Sequence, residues 1–235
     1  FAEKIVVSER MAFPIPKSFP HKIAAGVFMV YGTSYHGLVQ RAKINKQDEV
    51  LVLGAAGGVG LAAVDIAKSF GARVVAAVST KEKAEVCKGY GVDDVVIYGE
   101  EKLDKEGQKA LTKELKSKSV RGGFSIIYDP IGDCFAEPAL RSISWGGTYL
   151  VVGFAAGKIP LFPTNLILLK GCAVGRFQQE EPQQNAQNLK EIGELLGSGK
   201  LTPFISETIP MSESVDAIER IAKRGVVGKV VFIND

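Results

Sequence analysis

The chain predicts an α/β fold built on a doubly wound parallel sheet, and three observations carry that expectation. Apolar runs of strand length alternate with helical segments along residues 50–153. The first of these runs passes through a glycine turn straight into a helix, and that turn has the spacing of a phosphate cradle. Alternation of this kind implies right-handed crossovers, with ligands received at the carboxyl ends of the strands.

The first strand is Val50-Leu51-Val52-Leu53, a continuous apolar run suited to a sheet covered on both faces. Gly54-Ala55-Ala56-Gly57-Gly58-Val59-Gly60 follows as the turn. Val59, Ala62, Ala63, Ile66, Ala67 and Phe70 then fall at offsets 0, 3, 4, 7, 8 and 11, which marks one helix face for the sheet. Asp65, Lys68 and Ser69 lie opposite, so Asp65 is expected on a solvated polar face without consequence for a ligand. The helix start has unpaired N–H groups and a positive dipole end. Gly57, lacking Cβ, lets bridged phosphates approach that backbone, and Gly60 lets helix and strand pack closely. Because Ala55 stands where the first glycine of G-x-G-x-x-G would be, this motif alone leaves two other readings open. They are an ordinary strand-to-helix turn and the glycine loop of an S-adenosylmethionine methyltransferase.

A second strand is expected at 73–78, after Gly71 in the helix-stop position. Its end falls roughly 20 residues past the glycines, where an adenosine ribose belongs. An NAD or methyltransferase site carries Asp or Glu there to accept from the ribose hydroxyls. This chain has Ser79-Thr80-Lys81-Glu82-Lys83. A carboxylate about 4 Å from a 2′-phosphate would repel it by roughly 4 kcal/mol per charge pair at an effective dielectric near 20, so its absence removes an obstacle to NADP. Ser79 and Thr80 as hydroxyl donors, with Lys83 as the cation, favour NADP over NAD. The competing account places Lys81 and Lys83 on a solvated helix start.

A helix at 81–90, a strand at 95–98, a helix at 104–117, a strand at 124–129, a helical segment around 134–142 and a strand at 148–153 continue the alternation. This order places the glycine turn, Ser79, Tyr98, Asp129, Gly153 and Phe154 on one rim. Asp129 reads as structural rather than as an acid catalyst.

Several ordered motifs resemble the medium-chain dehydrogenase/reductase superfamily, specifically its zinc-free quinone oxidoreductase branch, the zeta-crystallin-like proteins. They are Ala24-Ala25-Gly26 through Thr33-Ser34-Tyr35 and Leu38, the run from Val50 to Gly60, Asp129-Pro130-Ile131-Gly132, Gly146-Gly147-Thr148 with Val151-Val152-Gly153-Phe154, Asn165 through Gly171, and Gly228-Lys229-Val230-Val231. The resemblance implies a Rossmann domain that binds NADPH. It places Thr33 and Phe154 towards the nicotinamide, Ala56, Gly57, Gly58 and Val59 at the pyrophosphate, and Ser79, Lys83 and Tyr98 around the 2′-phosphate and ribose, with Gly153 also among the cofactor-binding residues. Arg224 would close over the phosphate. Tyr98 as a strand-end cap and Arg224 as a surface cation are the alternatives.

By the same resemblance, a GroES-like β-rich domain supplies much of the substrate cleft, and only remnants of it are expected at the two chain ends. Residues 1–20 read as its end and linker, with a last strand at 1–7, and residues 21–175 as the dinucleotide-binding domain. Residues 176–235 read as a segment returning towards it: a helix at 185–196, an extended piece at 201–204, a helix at 212–223 and a strand at 229–233, partly unsupported in this chain. The chain opens on Phe1 and is read as a portion of a longer protein.

Composition agrees with one compact domain and appendages: 235 residues, 46% hydrophobic, can bury a substantial core. A net charge of +3 is too slight to imply nucleic acid, and no apolar run reaches membrane-spanning length. Three isolated cysteines, Cys87, Cys134 and Cys172, and two histidines, His21 and His36, form no clustered metal-ligand pattern. They favour a reducing, intracellular setting, cytoplasmic, with a mitochondrial one left open. No G-x-S-x-G elbow occurs.

The function expected of the parent protein is therefore NADPH-dependent hydride transfer to a quinone or other conjugated carbonyl, with weak activity in this portion alone and no catalytic residue assigned. A nucleotide-sensing or RNA-binding protein of the zeta-crystallin type, or an enoyl-reductase module, are the alternatives. The apolar run Leu166-Ile167-Leu168-Leu169 and the family's pairing across a two-fold axis imply a homodimer.

Overall fold

The computed structural model describes residues 2–9, 12–17, 19–176, 182–223 and 225–234. Its frame is a six-stranded sheet, all parallel, in the order β3-β2-β1-β4-β5-β6. The strands are β1 (Glu49–Leu53), β2 (Arg73–Val78), β3 (Asp94–Ile97), β4 (Phe124–Asp129), β5 (Ile143–Val151) and β6 (Ala173–Arg176). Between them run α2 (Gly58–Ser69), α3 (Lys81–Gly89), α4 (Lys105–Lys118), α5 (Ala136–Arg141) and α6 (Thr164–Lys170). Ahead of the sheet lies α1 (His21–Tyr35), extended by a wider turn of helix over His36–Arg41.

Strand residues divide between two cores by their two-residue period, which is why the runs are apolar throughout rather than alternating. Val50, Val52, Val74, Ala76, Ile126 and Tyr128 face the layer of α1 and α2. Leu51, Leu53, Val75, Ala77 and Ile127 face the layer of α4 and α5. The doubly wound architecture expected of the sequence is thus the one found.

Several boundaries and environments differ from expectation. β5 begins at Ile143, earlier than the predicted strand, and ends at Val151, so Gly153 lies beyond it. β6 was not foreseen, and neither was β7 (Ile205–Pro210), which pairs in parallel with β8 (Lys229–Ile233) as a separate ribbon. The strand expected at 1–7 is absent: residues 2–8 form none, and Val6 is fully exposed. An extended segment without a neighbouring strand gains no ladder.

The returning segment is better supported than expected. It comprises α7 (Pro182–Gly197), β7, α8 (Ser214–Ala222) and β8. Ile192 and Leu201 are buried in the same core as α1 and α2. Asp65 is the clearest correction. It is buried rather than solvated, because this segment covers the face of α2 that turns away from the sheet. Its Oδ2 accepts from the Tyr31 hydroxyl at 2.7 Å and from the Thr202 amide at 2.7 Å, tying α1, α2 and the returning segment at one point. Burial pushes its carboxyl above the usual range, against the two hydrogen bonds that favour the charged form.

Candidate functional site

A cleft of about 440 Å³ opens at the carboxyl ends of the strands, at the point where the chain's progression across the sheet reverses between β1 and β4. Its floor is the turn from β1 into α2. Gly57 is the N-cap of α2, no side chain caps the helix, and the Leu61 amide is the first to bond back, to the Gly57 carbonyl at 2.8 Å. The amides of Gly58, Val59 and Gly60 therefore have no acceptor within the helix. They form an electropositive helix start beside the cleft, a setting suited to a bridged pair of phosphates.

Two glycines make this geometry, for different reasons. Gly57 sits at φ −76°, ψ 168°, a conformation open to any residue. A Cβ there would meet only the Gly54 carbonyl, at 3.3 Å, so what its bare backbone provides is space for a ligand. At Gly60 a Cβ would lie 2.3 Å from the Gly54 oxygen and 2.8 Å from Ala55 Cα, so this glycine is demanded by the close packing of helix on strand end.

One end of the cleft is built where the ends of β2 and β3 meet. Ser79, Lys83, Tyr98 and Glu100 line it. Lys83 reaches back one helical turn and donates from Nζ to Ser79 Oγ at 3.0 Å, joining the two residues expected to act together. Thr80 departs from its expected role: its Oγ1 accepts from the Lys83 amide at 3.3 Å and caps α3. The Tyr98 amide continues the ladder to the Val78 carbonyl at 2.9 Å, while its ring packs on Phe135 with centroids 4.6 Å apart. Tyr98 therefore caps a strand end and also walls the cleft.

On the other side, Asp129 shapes the turn after β4. Fully buried, it accepts from the Ile131 amide at 2.9 Å, the Gly132 amide at 2.8 Å and the Tyr149 hydroxyl at 2.6 Å. Burial pushes its carboxyl up although all three bonds favour the ion, and Asp129 itself does not line the cleft. The geometry is that of a structural carboxylate.

Of the predicted site residues, the structure brings Ala56, Gly57, Gly58, Val59, Ser79, Lys83 and Tyr98 together on one cleft. Thr33, Gly153 and Phe154 are not part of that lining. Thr33 is half-buried on α1, Gly153 approaches the Pro130 carbonyl, and Phe154 lies half-exposed beside Gly132. Arg224 lies outside the described residues. Sequence reasoning missed Glu100, Phe135, Lys223 and Val226, which line the cleft. It also missed Ser34, whose hydroxyl donates to the Val59 carbonyl at 2.9 Å and meets the Tyr128 hydroxyl at 2.8 Å, pinning the first turn of α2 to α1 and β4. The returning segment closes the same turn from above, through the Gly228 amide on the Ala56 carbonyl at 2.9 Å. Among the described residues, no three His, Cys, Asp or Glu side chains gather as a metal site, and no helix is long and apolar enough to cross a membrane.

Sheet order, glycine turn and cleft together define a Rossmann-type α/β domain. The chain belongs to the zinc-binding dehydrogenase family, whose model matches residues 58–193. It is 33% identical over 238 residues to a quinone oxidoreductase-like protein 2 homolog of Nematostella vectensis, a match covering 98% of this chain and 63% of that protein. The chain thus spans less than two thirds of that relative's length. The fold is shared with Escherichia coli quinone oxidoreductase complexed with NADPH, at a TM-score of 0.84 and 24% identity over 96% of this chain and 69% of the other. It is shared equally with a 2-octenoyl-CoA carboxylase reductase in complex with NADP and 2-octenoyl-CoA, at a TM-score of 0.85 and 24% identity over 97% and 53%.

Proposed function

We propose that this chain is the NADPH-binding portion of an oxidoreductase that delivers hydride to a conjugated carbonyl, a quinone or an enone. The observation that carries the reading is the pairing, in one cleft, of an uncapped glycine helix start with the Ser79–Lys83 couple. The first suits a pyrophosphate and the second a 2′-phosphate. When bound, the dinucleotide supplies the hydride chemistry, and the part of this chain is to bind and orient it. Among the cleft residues no acid is placed to donate a proton to a substrate, and none is assigned. A zinc-independent reaction is part of this proposal and rests on the isolation of Cys87, Cys134 and Cys172 from one another and from both histidines.

An enoyl thioester is the second acceptor class, favoured by the shared fold of the NADP- and octenoyl-CoA-bound reductase. It too is an alkene conjugated to a carbonyl, so the same hydride chemistry serves both.

Titration calorimetry with NADPH and NADH tests the cofactor reading. Lys83→Ala removes one charge-assisted hydrogen bond and is expected to weaken NADPH about tenfold, a change of about 1.4 kcal/mol, while leaving NADH within about twofold. Equal weakening of both dinucleotides would remove Lys83 from the 2′-phosphate.

The chain is also proposed to form a homodimer through β6. This strand ends the sheet, and the nearby Trp145, Leu168 and Leu169 are 81%, 81% and 71% exposed. An unpaired edge flanked by large apolar side chains is completed when a second copy pairs with it. Light scattering should give about twice the chain mass of 25.1 kDa, whereas a monomer at high concentration would overturn the proposal.

A further inference from the structure

We infer that Glu100 is a specificity-determining residue, one that restrains the preference of the cleft for a 2′-phosphorylated dinucleotide. The inference rests on the dinucleotide reading above and adds to it a residue that works against the cations. Glu100 follows β3 by three positions and lines the cleft with Ser79, Lys83 and Tyr98, at the end assigned to the adenosine ribose. Its side chain is exposed. The nearest cation in sequence, Lys102, is engaged elsewhere, with Asp133 Oδ2 at 3.3 Å. A carboxylate is thus present at the ribose end after all, supplied by the end of β3 rather than the end of β2.

Two effects of this carboxylate have the same sign. It repels a 2′-phosphate that Lys83 attracts, and it offers an acceptor to the free 2′-hydroxyl of NADH. Lys83 and Lys223, which also line the cleft, provide the opposing charge. The ribose end is therefore mixed rather than uniformly basic, and discrimination between the two dinucleotides is set by the balance of these groups. Because Glu100 is exposed, salt screens it. Its influence is an affinity ratio of modest size, largest at low ionic strength.

The test is calorimetric titration of the wild-type chain, Glu100→Gln and Glu101→Gln with NADPH and with NADH, at low and at high salt. Glu101 is the matched control: it is exposed, carries the same charge and does not line the cleft. Glu100→Gln is expected to raise the ratio of NADPH to NADH affinity about three- to tenfold at low salt, with less gain at high salt. Glu101→Gln should leave the ratio within about twofold. An unmoved ratio in Glu100→Gln, or an equal shift in both variants, would overturn the inference while leaving the NADPH reading in place. Failure of the wild type to bind either dinucleotide would instead remove that reading and this one with it.

Discussion

Gly57→Val is expected to lower NADPH affinity at least about 100-fold without unfolding the chain. At φ −76°, ψ 168° the residue occupies the extended region that valine favours, and the nearest atom to its new Cβ is the Gly54 oxygen at 3.3 Å. That tight contact is partly offset by the lower entropy of the unfolded chain, so Tm should move by no more than about 3 °C. The ligand has no such room. Three added carbons would stand between the pyrophosphate and the amides of the first turn of α2. Losing two charge-assisted hydrogen bonds costs about 3 kcal/mol or more, which is the 100-fold change. Calorimetry for affinity and scanning calorimetry for Tm together check the separation. Unchanged NADPH affinity in a folded Gly57→Val chain would place the phosphates elsewhere.

Gly60→Ala has the opposite profile. Its methyl group would lie 2.3 Å from the Gly54 oxygen and 2.8 Å from Ala55 Cα, distances at which the backbone must move. The only relief is to lift α2 away from the end of β1, where Ala62, Ala63 and Ile66 are fully buried. Overpacking of this kind costs about 3 kcal/mol or more, a large fraction of the total stability of a domain. A fall in Tm of about 6–12 °C is the corresponding thermal shift for a chain of this size. Both variants change one glycine of one motif, so contrasting outcomes would separate the residue that makes room for a ligand from the residue that lets the fold close. A Gly60→Ala chain as stable as the wild type would refute the packing argument.

What the sequence revealed and what it hid follow from the range of the signals. The parallel strands β1, β2 and β4 bury every residue or nearly so, and that burial writes itself as runs dominated by apolar residues, Val50 to Leu53, Val74 to Val78 and Ile126 to Tyr128. The glycine turn is equally local. β6 and β7 are different: Ala173-Val174-Gly175-Arg176 is short and contains a glycine, while Ile205 to Pro210 is only half-buried and rich in polar residues. Asp65 was misplaced because helical period identifies the face towards the sheet and is silent on a third layer. That layer arrives from residues 201–204 and turns the expected solvated face into an interior. The Ser34 hydroxyl holds the glycine turn through the Val59 carbonyl and meets the Tyr128 hydroxyl, contacts that no periodicity announces. Lys223 and Val226 reach the cleft from the far end of the chain. Glu100 lies two residues past Tyr98 in the segment after β3, outside any strand or helix, where no periodicity marks a side chain as facing the cleft.

The central claim, that phosphates rest on the start of α2, is tested most directly at the amides themselves. In a ¹H–¹⁵N spectrum titrated with NADPH, the amides of Gly58, Val59 and Gly60 should show the largest shifts, with Ser79 and Lys83 moving in step. Those amides remaining still at millimolar NADPH, or moving less than residues remote from the cleft, would contradict the account.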